Sequence, residues 1–340
     1  MKIILDNTVD LAPYLAKDSI YDEIHLKSGV YTQKLTIFKD NLTIIGEENT
    51  IITNHDHYYK IYSDNKEYNT FRTYTLKVMA DNVKIKNLTI ENSCIPSSKY
   101  GQSVALYVMG DNFICENSII KGAQDTLFTG PLPKNLLIRY KDFLPDDELA
   151  GKASKQQYLN CTIYGDVDFI FGGATAYFYH CNIICIGSKG YVCAPSHYEE
   201  TPYGYLFNEC TISYNGIDSN PKFYLARPWR KYAIAAFINC SIGNHILKEG
   251  FNDWNDESRQ KTVRFFEYDN NESINKRVPY AKILNKDEAT NYLHNYLSFL
   301  NSWFRHFSTF TIVFNHSSYK NNVIFLVLGE ILMKCLNIFL

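Results

Sequence analysis

Two carboxylates, two amides and one guanidinium, spread over four short segments, are the residues here whose types could do chemistry together. The segments are Gly101-Gln102-Ser103-Val104-Ala105-Leu106, Gly122-Ala123-Gln124-Asp125-Thr126-Leu127-Phe128, Ile163-Tyr164-Gly165-Asp166-Val167-Asp168-Phe169-Ile170-Phe171-Gly172 and Tyr224-Leu225-Ala226-Arg227-Pro228-Trp229. Asp168 stands against the apolar run Phe169-Ile170-Phe171. A carboxylate among such neighbours must find a partner or shift its pKa, and a shifted carboxyl group is suited to acid–base work. Taken singly, each segment also has a plainer reading. Asp168 is then a strand-end residue facing water, Asp125 a turn former, and Arg227 a surface side chain lying on Trp229. Gln102 alone carries no signal.

The elements that must position these residues are short and extended. Asn or another polar residue recurs, followed by an inward-type residue and alternating apolar positions: Asn41-Leu42-Thr43-Ile44, Asn87-Leu88-Thr89-Ile90, Asn160-Cys161-Thr162-Ile163, His180-Cys181-Asn182-Ile183, Glu209-Cys210-Thr211-Ile212 and Asn239-Cys240-Ser241-Ile242. The four cysteines of the later segments are spaced by 20, 29 and 30 residues. Brief β-branched runs at a near-constant period, separated by polar turns, predict a solenoid with one set of strands per repeat. A parallel β-helix stacks equivalent residues into internal ladders, and Cys, Thr, Ser and Asn fit such positions. A β-sandwich accounts for the strands but not for the repeat. Cys161, Cys181, Cys210 and Cys240 are thus expected inside and unbridged.

Two stretches break the rhythm, and a third ends it. Residues 131–155 hold Pro131, Pro133, Pro145 and the acidic run Asp146-Asp147-Glu148, and are expected as a long loop on the solenoid flank. Residues 285–300 have a helical pattern with Asn285 or Asp287 as the cap. The reading divides the chain into a β-helix domain over 1–300 and an apolar tail over 301–340, in which Glu330 and Lys334 interrupt the run needed for a membrane span. A net charge of −2 gives no basic stripe for nucleic acid. The nine cysteines include no CxxC pair or zinc-type spacing. An odd thiol count and an N-terminus, MKIILDNTVDLAPYLAKDS, broken by Asp6 and Asp10 favour the cytoplasm. Secretion by a non-classical route is the alternative.

Together, in this order, the four segments resemble the pectin methylesterase (pectinesterase) family, of the carbohydrate esterase type. The likeness runs from about Lys27 to Leu293, and the ten residues around Asp168 match the family signature throughout. Gly29-Val30-Tyr31, Phe71-Arg72-Thr73-Tyr74-Thr75, Gln157-Tyr158-Leu159-Asn160-Cys161 and Phe266-Glu267-Tyr268 add support. The resemblance implies an all-β fold, a single-stranded right-handed parallel β-helix of the pectin lyase-like kind, acting on pectin or methylated oligogalacturonides. It implies that Asp168 is the nucleophile and Asp125 the general acid, then base. Gln124 is then the oxyanion donor, Gln102 a second amide, and Arg227 the residue that holds the nucleophile. Trp229, Thr75, Phe171 and Val167 are implied to contact substrate. No metal and no cofactor are implied.

The physical chemistry of these roles is coherent. An adjacent arginine favours the ionised form of an aspartate nucleophile, whereas a neighbouring anion and an apolar cleft favour a protonated partner. This chain departs from the family pattern in four ways, one of them a short N-terminal segment. Ala226 replaces the usual glycine before the arginine, Gly250-Phe251 replaces Gly-Trp with Trp254 nearby, and 43 residues separate Asp125 from Asp168. A calcium-dependent pectate lyase and a non-catalytic sugar-binding solenoid are the rival readings. The first needs a carboxylate cluster, which is not apparent, and the second leaves the retained polar set without a purpose.

Overall fold

The recurring Asn-Cys-x-Ile pattern is a backbone corner followed by an inward side chain. In the computed structural model, which describes residues 1–142, 144, 152–270 and 276–301, its leading residues all have left-handed backbone: Asn87 φ 57°, Asn160 φ 53°, His180 φ 51°, Glu209 φ 53° and Asn239 φ 55°. Asn adopts this region more readily than most residues, because its short amide can bond locally. The residue that follows is then turned inward. Cys161, Cys181, Cys210 and Cys240 are buried with free thiols, and each Sγ contacts a carbonyl of the preceding coil at 3.2–3.4 Å. Asn41 belongs to a different corner. It stacks with Asn82 and Asn112 through side-chain amide bonds of 3.0 and 2.8 Å, so the recurring pattern mixes two ladders.

These corners fold the chain into three parallel sheets of eleven, seven and eight strands. Strand order in each sheet follows chain order, as it must when every coil lays one strand on each sheet. The fold is a parallel β-helix. Registers are uniform: Leu106 pairs with Leu127, Leu127 with Ile170, and Ile170 with Cys193, so residues one coil apart lie side by side.

Ladders inside the coils hold the solenoid together. Tyr158, Phe178, Phe207 and Phe237 stack ring on ring, with centroids 4.8, 4.5 and 4.5 Å apart and nearly parallel planes. Burying each such ring contributes about 1.5–3 kcal/mol, and each offset stack adds about 0.5–1.5 kcal/mol. On the seven-stranded sheet the alternation runs to both faces. Leu106, Leu127 and Ile170 enter the solenoid core, while Tyr107, Phe128 and Phe171 form a second apolar cluster outside it.

That outer cluster explains a correction. Residues 131–155 are not simply a loop on the flank. Lys134–Arg139 forms a helix, and Leu132, Leu136 and Leu144 pack with Phe71, Phe128 and Phe171. The apolar spacing at 132 and 136 supplies the buried side of the turn. Asp146, Asp147 and Glu148 lie outside the described residues.

The C-terminal helix spans Lys286–Leu300. Asn285 is its cap: its Oδ1 accepts from Glu288 N–H at 2.9 Å, and Glu288 Oε2 accepts from Asn285 N–H at 2.9 Å, a reciprocal capping box. Asp287 lies in the first turn instead. Ala289, Tyr296 and Leu300 cover Tyr177, Leu206, Ala236 and Ile238 on the outside of the eleven-stranded sheet. Residues 1–300 form one compact unit. The tail from 302 to 340 lies outside the described residues, and no described helix is long and apolar enough to cross a membrane.

Candidate active site

Asp125 and Asp168 occupy equivalent places in successive coils. Each lies two residues before its strand, Leu127–Thr129 and Ile170–Gly172, and those strands pair with Leu127 beside Ile170. Asp125 N–H donates to the Val167 carbonyl at 3.1 Å and Leu127 N–H to Phe169 at 2.8 Å, which fixes the stagger. Both aspartates have positive φ, 62° and 50°. Left-handed backbone is tolerated by Asp but still costs of order 1 kcal/mol, and such outliers gather at functional sites. Gly165 permits both the tight turn around Asp168 and the close passage of the coils: a Cβ there would lie 2.1 Å from Phe169 Cβ in its own coil and 2.8 Å from the Ala123 carbonyl oxygen in the preceding one.

Arg227 follows the strand Lys222–Ala226. Its Nε and Nη2 donate to the two oxygens of Asp168 at 2.7 and 2.6 Å, a bidentate fork. The guanidinium is clamped between the rings of Tyr191 and Trp254, 3.8 and 3.6 Å from their centroids. Ala226 is buried and lies in an ordinary strand rather than a left-handed turn, so the methyl that replaces the family's glycine leaves the arginine in place.

The two carboxyl groups differ in their electrostatics. Burial pushes Asp168 up from the usual carboxylate range, while the Arg227 fork and its charge pull it down. Asp125 is pushed up well beyond that range, first by burial and then by the nearby Asp168 charge; Arg227 offsets this only in part. No described residue hydrogen-bonds to the Asp125 carboxyl. Burial likewise raises Asp166, against hydrogen bonds from Ser97 and the Val167 N–H. The site thus has one carboxyl held by a cation and one left to keep its proton.

Gln102 and Gln124 are bridged side by side on adjoining coils, and Ser103 N–H donates to the Gln124 carbonyl at 3.0 Å. Both glutamines line a cleft of about 480 Å³ together with Asp125, Asp168, Phe171, Arg227 and Trp229. Phe171 and Trp229 meet at 5.6 Å, tilted by 62°.

The structure does not bring two of the expected residues into the cleft. Thr75 is fully buried and its hydroxyl donates to the Glu91 carbonyl at 2.8 Å, because its side chain turns into the coil just before the strand Leu76–Val78. Val167 is half-buried and does not line the cleft; its carbonyl positions Asp125 instead.

Other lining residues escaped the sequence reading: Phe71, Tyr140 and Trp254, and the cationic side chains Arg139, Arg230 and Arg259. Phe71 and Trp254 stand in segments noted for family likeness. Arg139 follows the proline-rich break, where sequence gives no sign of an inward wall. Among the described residues no group of three His, Cys, Asp or Glu side chains is placed to hold a metal ion.

A parallel β-helix with paired carboxyl groups of unlike protonation in one cleft has the makings of a hydrolase, and comparison with known proteins gives the family. The family model described as Pectinesterase matches residues 5–132 and 140–301. The chain belongs to the pectinesterase family and is a carboxylic ester hydrolase. It is similar to Pectinesterase QRT1 of Arabidopsis thaliana, 27% identical over 317 residues, covering 89% of this chain and 76% of that protein. It is also 29% identical over 288 residues to Probable pectinesterase/pectinesterase inhibitor 13 of Arabidopsis thaliana, covering 79% of this chain and 42% of that protein, so it spans under half of that relative's length. Among solved structures, pectin methylesterase PemA from Erwinia chrysanthemi aligns with a TM-score of 0.64 and 26% identity, over 79% of this chain and 86% of that one.

Proposed function

We propose that this chain hydrolyses the methyl esters of galacturonate residues in pectin or methylated oligogalacturonides, through an aspartyl acyl-enzyme. The observation that carries the reading is the Arg227 fork on Asp168, with the unpaired Asp125 one coil away in the same cleft.

An ionised Asp168 oxygen attacks the ester carbonyl carbon. The carbonyl electrons move to oxygen, where the Gln124 and Gln102 amides supply N–H donors as charge develops; one such donor is worth about 3 kcal/mol. As the tetrahedral centre collapses, the bond to the methoxy oxygen breaks and Asp125 gives that oxygen its proton, releasing methanol. Asp125, now ionised, takes a proton from water. The hydroxide so formed attacks the acyl carbon and the bond to the Asp168 oxygen breaks, restoring the Asp168 carboxylate beside the protonated Asp125; the galacturonic acid released gives its proton to solvent. Trp229 and Phe171 offer apolar surface to the sugar ring.

The test is methanol release from a methylated oligogalacturonide. Asp168→Asn preserves shape but lacks the nucleophile, so release falls by several orders of magnitude while the fold persists. A folded Asp168→Asn protein with near-wild-type release refutes the nucleophile. An ultraviolet-absorbing unsaturated product without methanol refutes the esterase reading.

A further inference from the structure

Three arginines line the same cleft without a role in the chemistry above: Arg139, Arg230 and Arg259. Resting on the esterase reading, we propose that they form an anion subsite on the Trp229 wall, which takes a free carboxylate of a galacturonate residue neighbouring the ester being cleaved. Substrate of this class carries its C6 group in one of two states, methyl ester or carboxylate, and a guanidinium distinguishes the second from the first.

The geometry has the features of a prepared site. Arg230 is tied in place: its Nε donates to Asn135 Oδ1 at 2.9 Å and its Nη1 to the Trp229 carbonyl at 2.7 Å. Nη2 has no partner among the described residues, and no described acid pairs with Arg230. Its guanidinium also lies over the Trp229 ring, 4.8 Å from the centroid. Arg259 is anchored by Pro228 through a carbonyl bond of 2.5 Å and by Asp256 at 3.0 Å, so its charge is partly neutralised. Burial, and then the nearby Arg259 charge, pull the pKa of Arg230 down: the cation is poorly solvated and has a like charge beside it. An incoming carboxylate relieves that repulsion.

The third arginine comes from the segment that departs from the family. Asn135 and Arg139 stand on the Lys134–Arg139 helix, and residues 133–139 fall between the two stretches that match the family model. Arg139 is exposed and lies 5.5 Å from the Tyr140 ring centroid, with no described acidic partner. The nearest pairing on that helix is Lys134 with Glu200 at 3.8 Å, on the exposed rim. The insertion therefore supplies both the carbonyl oxygen that orients Arg230 and an added cation. To Arg230 and Arg259, which stand within the family-matched stretch, it adds a cation and an anchor that belong to this chain.

The experiment compares methanol release from fully methylated hexagalacturonate with release from the same oligomer carrying about half of its carboxyl groups free. In the wild type, kcat/KM per ester is about tenfold higher on the second substrate, as expected for a charge-assisted contact. In Arg139→Gln/Arg230→Gln the ratio falls to near one, and the inhibition constant of de-esterified trigalacturonate rises about tenfold. Arg139→Gln alone, on the exposed helix, gives part of both changes. Raising salt to about 0.5 M erodes the wild-type preference. An unchanged ratio and unchanged inhibition in folded variants overturn the subsite, as does a wild type that prefers the fully methylated oligomer. If no protein releases methanol, the esterase reading fails separately. Calorimetric binding of trigalacturonate, present in the wild type and lost in the double variant, then still supports the subsite, and binding equal in the two overturns it.

Discussion

Replacing Asp125 by Asn separates what the residue does for chemistry from what it does to the fold. The residue is 8% exposed, its carboxyl accepts no hydrogen bond from a described residue, and its backbone is left-handed, which Asn adopts at least as well. Shape and backbone are therefore kept, and only the ionisable proton is lost. Removing a general acid and base lowers the rate by about 10²–10⁴-fold. Stability moves the other way, and its pH dependence carries the sign. The folded-state pKa of Asp125 is raised by burial and by Asp168, so as pH rises the unfolded chain ionises first and the native protein loses stability until the folded pKa is passed. Asn does not titrate and escapes this loss. At pH 4 the two proteins should melt together. At pH 8 the variant should be more stable by about 1.4 kcal/mol for each unit by which the folded-state pKa stands above the unfolded one. At about 2–4 °C per kcal/mol for chains of 150–250 residues, each such unit raises the melting temperature by about 3–6 °C. Methanol assays at matched pH and calorimetric melting at pH 4 and 8 measure both. A variant that is inactive but less stable than the wild type at pH 8 refutes the reasoning, because Asp125 would then be a structural residue with a partner.

Arg227→Gln removes the cation that pulls Asp168 down, leaving burial to raise it further, so the acid limb of the methanol-release profile should move to higher pH; an unmoved limb would mean that Arg227 does not set the ionisation of the nucleophile. Phe207→Ala opens the ring ladder between Phe178 and Phe237 and should cost about 3–5 kcal/mol in denaturant unfolding, with KM little changed in whatever protein folds; a cost below about 1 kcal/mol would show that the ladder does not hold the coils.

The sequence exposes periodic features better than unique ones. Every coil repeats the corner, so Asn160-Cys161, His180-Cys181, Glu209-Cys210 and Asn239-Cys240 betray a solenoid through repetition alone, and the left-handed corner is the physical cause of the pattern. The pattern does not reveal that three sheets meet at two kinds of corner, because Asn serves at both, as Asn41 and Asn87 show. Asp125, Asp168 and Arg227 were legible because their segments are short and chemically dense. Thr75 was misplaced because motif likeness gives position along the chain, not which way a side chain turns, and one residue of register decides between coil interior and cleft. Arg139, Arg230 and Arg259 carry no local signal at all. They come from three separate segments, and the packing of Leu132 and Leu136 with Phe71 and Phe128 brings the first to the cleft that the others line.

That packing also explains how two residues 43 positions apart can act as neighbours. In a solenoid the distance between equivalent positions is set by one coil spacing, about 4.8 Å between strands, whatever length of chain joins them. The chain after Thr129 can leave the stack, form the Lys134–Arg139 helix, and re-enter at Lys155 without altering the pairing of Leu127 with Ile170. Loop length costs little, about 0.6 kcal/mol for each doubling, and the buried Leu132, Leu136 and Leu144 offset it several-fold at about 1.5–3 kcal/mol each. The excursion's described residues are therefore held down by their own burial, and Asn135, Leu136, Arg139 and Tyr140 lie along the cleft. An insertion at this point of the fold leaves the Asp125–Asp168 geometry untouched while rebuilding the wall that substrate must pass. Specificity can change there without disturbing the chemistry.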